Sequence, residues 1–272
     1  MLERSPALAP LVLALCLTLV TACTSGAKAG DRSSITYDDI VNTGRANDCP
    51  TLPDSARGSI ALDSNVRYQL KEICLHPSEV AVKGEPTNKR QEAQFVTGKI
   101  LTRFTSSLDQ VYGDLKIDGD KLTFNELGGI DFQPVTVLLP GGEEVPFTFS
   151  TKELLAESSG AAITTSTDFT GNYRAPSYRT SNFLDPKGRG LTTGYSSAVG
   201  LVPAGDEYGS ETVKAYVDGT GTMSLSITKV DSDTGEFAGV FTAIQPSDTD
   251  MGTKPAVDVK ISGELYGRLE KA

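Results

Sequence analysis

The chain contains one histidine, His76. Imidazole is the usual general base near neutral pH and the commonest metal ligand, so its scarcity removes whole classes of chemistry. A multi-histidine metal cage cannot be built, and a Ser-His-Asp or Cys-His nucleophile would have to run through His76 alone. Carboxylates are abundant, with 35 Asp and Glu against 25 Lys and Arg. No two of them stand out as an acid–base pair, so the abundance reads as an acidic surface and not as a hydrolase centre. The remaining reactive groups are four cysteines, Cys16, Cys23, Cys49 and Cys74. None lies in a Cys-X-X-Cys spacing, which argues against redox or metal chemistry at sulfur.

The first two cysteines belong to an address. Arg4 precedes an apolar run from Leu8 to Val20, and small residues follow it. This is the layout of a secretory signal over residues 1–29, too short and too interrupted by Pro10 to span a membrane comfortably. Val20-Thr21-Ala22-Cys23 also matches a bacterial lipobox, which would make Cys23 a lipidation site. The alternative is cleavage a few residues later, with Cys23 incidental. An exported domain of residues 30–272 then keeps only Cys49 and Cys74, which read as a structural disulfide. The loop it closes, about 25 residues, is worth ~3 kcal/mol on the chain-entropy model.

What must position these groups is mostly strand. At 272 residues and 38 % hydrophobic content the chain can bury one substantial core. Val257, Val259, Ile261 and Leu265 alternate with polar partners, as do Met223, Leu225 and Ile227. The turn Asp231-Ser232-Asp233-Thr234-Gly235 leads into Phe237, Gly239 and Phe241, a hairpin pattern. Further strands are expected over 95–104, 112–117, 122–124, 130–139, 145–149 and 213–217. Successive hairpins predict an all-β antiparallel sheet closed into a barrel. Helix is scarce: Ser150-Thr151-Lys152-Glu153 has the form of a capping box before Leu154-Leu155-Ala156, and Tyr37 to Val41 forms another short turn.

A net charge of −10 excludes nucleic acid as a natural partner. One stretch departs from both the charge and the pattern. Residues 170–212 are rich in Gly, Pro, Tyr and Arg, and Arg174, Arg179, Lys187 and Arg189 make them locally basic. A loop of this length in a compact domain carries function or packs as a plug over the barrel end. A basic patch on an acidic protein fits an acidic partner surface.

The same residues carry a resemblance. Ile35-Thr36-Tyr37-Asp38-Asp39-Ile40-Val41, Cys49-Pro50-Thr51, Asn88-Lys89-Arg90-Gln91-Glu92-Ala93 and Gly129-Ile130-Asp131-Phe132-Gln133-Pro134 resemble the manganese-stabilising (PsbO) family of photosystem II extrinsic proteins. The most specific match runs from Pro176-Ser177-Tyr178-Arg179-Thr180 to Asn182-Phe183-Leu184-Asp185-Pro186-Lys187-Gly188-Arg189-Gly190. Gln245-Pro246-Ser247-Asp248-Thr249-Asp250-Met251-Gly252 completes it.

The resemblance implies a single eight-stranded barrel with a head made partly from the long loop, and a Cys49–Cys74 disulfide. It implies a non-enzymatic, peripheral subunit in the thylakoid lumen or on the periplasmic side of the photosynthetic membrane. Such a subunit caps the manganese–calcium–oxo cluster without ligating manganese, and helps retain calcium and chloride. Whether calcium binds the chain itself is left open. Implied partners are the core reaction-centre subunits, the chlorophyll-binding antenna subunits and other extrinsic lumenal subunits. Arg179, Asp185, Lys187 and Arg189 match docking positions, and Arg179, Asp185, Asp248 and Asp250 match an acid–water network. Thr249 and Lys254 depart from the family pattern, which puts the proton role of that stretch in doubt. His76 reads as a surface residue beside the disulfide. The rival reading is an exported barrel lipoprotein that binds a small apolar ligand. It requires an open barrel interior.

Overall fold

The computed structural model describes residues 36–40, 43–84, 92–176, 219–247 and 255–272. A short helix α1 (Tyr37–Ile40) and a 3-10 turn (Arg45–Asn47) precede thirteen strands. These are β1 (Ser59–Ala61), β2 (Tyr68–Lys83), β3 (Phe95–Ile100), β4 (Leu108–Asp118), β5 (Lys121–Ile130), β6 (Phe132–Leu138) and β7 (Glu144–Ser150). Then come β8 (Leu155–Ser159), β9 (Ala162–Thr164), β10 (Asp168–Ala175), β11 (Gly219–Val230), β12 (Glu236–Pro246) and β13 (Asp258–Lys271).

Eight strands close on themselves in the order β2-β4-β5-β8-β10-β11-β12-β13, with β13 returning to β2. Every pairing around the ring is antiparallel. Period-two alternation explains the closure, since each strand turns one apolar face inward. Leu70, Leu75, Leu108, Leu122, Phe124, Phe169, Leu225, Phe241 and Ile261 are all buried and belong to one continuous core. That packed interior answers the ligand-carrier reading, which needed a cavity there.

The last four residues of β2, Val80 to Lys83, also pair with β3, and β3 leads to the β6–β7 hairpin. This hairpin folds against the barrel: Phe147 and Phe149 are buried, and the Phe149 ring stacks on Phe241 of β12 with centroids 5.5 Å apart. At the far end β1 pairs with β9 and puts Ile163 into the core.

Four sequence expectations change. The capping box over Ser150–Glu153 does not start a helix. Ser150 Oγ accepts from the Lys152 N–H at 2.9 Å and Leu154 N–H donates to Thr151 O at 3.0 Å, which makes a tight turn into β8. The run is too short to repay helix nucleation, and Leu155 to Ser159 alternates exposed and buried. The strand expected over 130–139 is two, β5 and β6, broken at Asp131. The strand expected over 95–104 stops at Ile100, and a turn follows. Finally, the loop expected from residue 170 begins only after β10, since residues 170–175 pair with β11 and residues 170–172 with β8 as well. Its remainder, like the strand expected over 213–217, lies outside the described residues.

Candidate functional site

One end of the barrel collects every long interruption of the sequence. Ala175 of β10 faces Gly219 of β11 across the ladder, so residues 177–218 begin and end there. Pro246 of β12 faces Asp258 of β13, which bounds 248–254 at the same end. Lys83 closes β2 beside the same strands, reaching Asp258 at 2.8 Å, and Gly84 N–H donates to Gln94 O at 2.9 Å around 85–91. The opposite end carries tight hairpins instead, at Asp118–Lys121 and Asp231–Glu236.

At the loop-bearing end lies a buried acidic pair. Leu122, Phe124 and Glu126 share the inward face of β5, so the alternation that fills the core also carries a carboxylate inside. Asp131 follows at the break between β5 and β6, where the chain turns through Gly128 and Gly129. At Gly129 (φ +132°) a Cβ would lie 2.5 Å from Gln110 O, so only glycine fits this approach to β4.

Asp131 is 3 % exposed, and its Oδ2 pairs with Lys152 Nζ at 2.7 Å. Glu126 Oε2 accepts from the Glu153 N–H at 2.8 Å, and its Oε1 finds no partner among the described residues. Glu153 has φ 58°, a left-handed backbone that costs about 1 kcal/mol or more and aims this N–H at the carboxylate. Burial first, then the Asp131 charge, push the Glu126 carboxyl up to about 7, against the pull of the Glu153 N–H and Lys152. The Glu126 carboxyl therefore gains or loses its proton near neutral pH.

The sequence reading missed Glu126, Asp131 and Lys152 as a site. One signal was available: an acid standing in register with Leu122 and Phe124.

Cys49 and Cys74 are joined as expected, with Cα atoms 5.6 Å apart, buried against Tyr266. Beside them the 3-10 turn is pinned to the barrel. Asn47 Nδ2 donates to Arg103 O at 2.7 Å, Asn47 Oδ1 accepts from Ser107 N–H at 2.9 Å, and Ser107 Oγ donates to Asn47 O. His76 belongs to this knot and is not the free surface residue expected. It is half-buried, and its Nδ1 lies 2.9 Å from Asn47 O and 2.8 Å from Ser107 Oγ.

The other predicted site residues, Cys23, Arg179, Asp185, Lys187, Arg189, Asp248 and Asp250, lie outside the described residues, as do Thr249 and Lys254. Among the described residues no three His, Cys, Asp or Glu side chains gather as a metal site. No described helix is long and apolar enough to cross a membrane.

A filled barrel with its long segments and its titratable pair at one end is a presenting scaffold, not a carrier. Comparison with known proteins says which scaffold. The profile of the family described as manganese-stabilising protein / photosystem II polypeptide matches residues 33–269. The chain is similar to photosystem II extrinsic protein O of Synechococcus elongatus, 61 % identical over 96 % of each protein. It is similar to the same-named protein of Synechocystis sp., 50 % identical over 95 % of this chain and 96 % of that one. Similarity extends to oxygen-evolving enhancer protein 1 of Euglena gracilis, 41 % identical over 87 % of this chain and 69 % of that protein. The chain belongs to the manganese-stabilising protein family of photosystem II.

Proposed function

We propose that this chain is a lumenal extrinsic subunit that docks by its loop-bearing end on the core reaction-centre and antenna subunits of photosystem II. There it steadies the manganese–calcium–oxo cluster without binding manganese or turning over a substrate. The carrying observation is near-full-length identity of 61 % to a photosystem II extrinsic protein. The convergence of 85–91, 177–218 and 248–254 on one end of the barrel supports the orientation. Arg179, Asp185, Lys187 and Arg189 supply the docking contacts in this reading, since the basic loop offsets the net charge of −10 against an acidic partner. Arg179, Asp185, Asp248 and Asp250 are the members of the acid–water network in this reading, which carries protons from the cluster. Glu126 is suited to receive them, because its carboxyl is raised to about 7. If Cys23 is the lipobox cysteine, acyl chains tether the subunit as well.

The test is rebinding of the mature protein to photosystem II particles stripped of extrinsic subunits, with oxygen evolution followed at low chloride. Saturable binding that restores rate and manganese retention is the expected result. No binding would overturn the reading. Mass spectrometry of the N-terminus separately decides the lipid question.

A further inference from the structure

Tyr173 reaches across a whole strand to find its partner. Its ring lies over Gly221 of β11, where a Cβ would come 2.3 Å from Tyr173 Cζ. Its hydroxyl donates to Gln245 Oε1 at 2.9 Å on β12, the strand beyond. Gln245 in turn donates from Nε2 to Thr148 O at 2.9 Å on β7. One buried chain of hydrogen bonds thus ties β7, β10 and β12 over β11, and Tyr173 and Gln245 are each 2 % exposed. Gly219 admits the neighbouring ring: a Cβ there would lie 2.3 Å from Pro246 Cγ. The sequence Gly219-Thr220-Gly221 therefore receives a side chain from the strand on each side.

The position of the bridge is informative. Tyr173 stands two residues before the end of β10, and Gln245 one residue before the end of β12. Those are the ends from which 177–218 and 248–254 depart. The backbone ladders already join these strands, and a buried hydroxyl–amide pair adds only about 1 kcal/mol net. A buried polar bridge contributes more by admitting one arrangement than by lowering the energy.

We infer that Tyr173, seated on Gly221 and bonded to Gln245, is a positioning residue: it fixes the two strand ends against each other so that both segments are presented from one frame to the partner. This rests on the docking reading above.

The test compares wild type with Tyr173→Phe, Gln245→Met and the double variant. Kd for stripped photosystem II particles is measured in the cold, well below each melting transition, with near-UV circular dichroism to confirm folding. Roughly tenfold weaker binding is expected for each single variant, and the double should be no worse than the weaker single, because both remove one bridge. A bridge that merely stabilised the barrel would lower the melting temperature and leave the cold Kd unchanged, and unchanged Kd in both singles overturns the inference while docking stands. Failure of the wild type to bind removes the docking reading itself.

Discussion

Lys152 Nζ stands 2.7 Å from Asp131 Oδ2, and Asp131 is the most buried carboxylate in any described ion pair. The ammonium pairs with one member of the acidic couple. Glu126, whose Oε1 lacks a partner among the described residues, is the member whose carboxyl burial and the Asp131 charge raise. An asymmetric pair of this kind is a defined proton acceptor.

The sign of its pH dependence follows. The Glu126 carboxyl titrates at about 7 in the fold against 4.5 ordinarily. Stability linked to its protonation is fully present below the ordinary value and is lost as pH rises through about 7, up to ~3 kcal/mol. Glu126→Gln mimics the protonated form. Its melting temperature should stay flat between mildly acidic and mildly alkaline buffer while that of wild type falls, the variant exceeding wild type by roughly 5 °C at the alkaline end. Calorimetry across that range checks this; parallel curves would count against it.

Removing the cation should do the opposite. Lys152→Met strands Asp131 without its partner inside the protein, a loss of about 3 kcal/mol. Urea unfolding at neutral pH measures it. Lys152→Met combined with Asp131→Asn should recover most of the loss, because residue 131 then carries no charge that needs the ammonium.

The disulfide closes a separation of 25 residues. Cys49→Ser with Cys74→Ser should cost ~3 kcal/mol. Asn47 and His76 each stand two residues outside the bonded cysteines, so hydrogen exchange at Ser107 N–H, which bonds Asn47 Oδ1, should quicken when the cross-link is lost. Unchanged exchange would show that the knot holds without the cross-link.

Charge reversal at Lys187 and Arg189 should weaken docking to photosystem II particles more at low salt than at high, with the barrel's melting temperature unchanged. Salt-insensitive binding by the variant and wild type alike would take these side chains out of the contact.

The sequence made the barrel plain because alternation is a backbone property. Val259, Ile261 and Leu265 sit on the inward face of β13 as their spacing demands. The errors arose where two local codes competed. Ser150 to Glu153 carries the letters of a helix cap, but Ser150 is already the last residue of β7 and Glu153 turns its side chain out to Arg174 at 3.4 Å. His76 looked peripheral because its partners, Asn47 and Ser107, lie 29 and 31 residues away along the chain. The acidic pair stayed hidden for a related reason: four residues separate Glu126 from Asp131, and only the irregularity through Gly128 and Gly129 turns both to the same interior.

The seam of the ring joins β2 to β13, almost the whole length of the described chain apart, and Ala272 N–H still donates to Arg67 O at 2.9 Å. A nascent chain emerging N-terminus first therefore cannot close the cylinder until its final strand of 14 residues arrives. Until then β2 and β12 are naked edges, open to pairing with any other strand. A truncation that removes β13 would leave them so permanently, turning a sealed tube into a sheet with two adhesive margins.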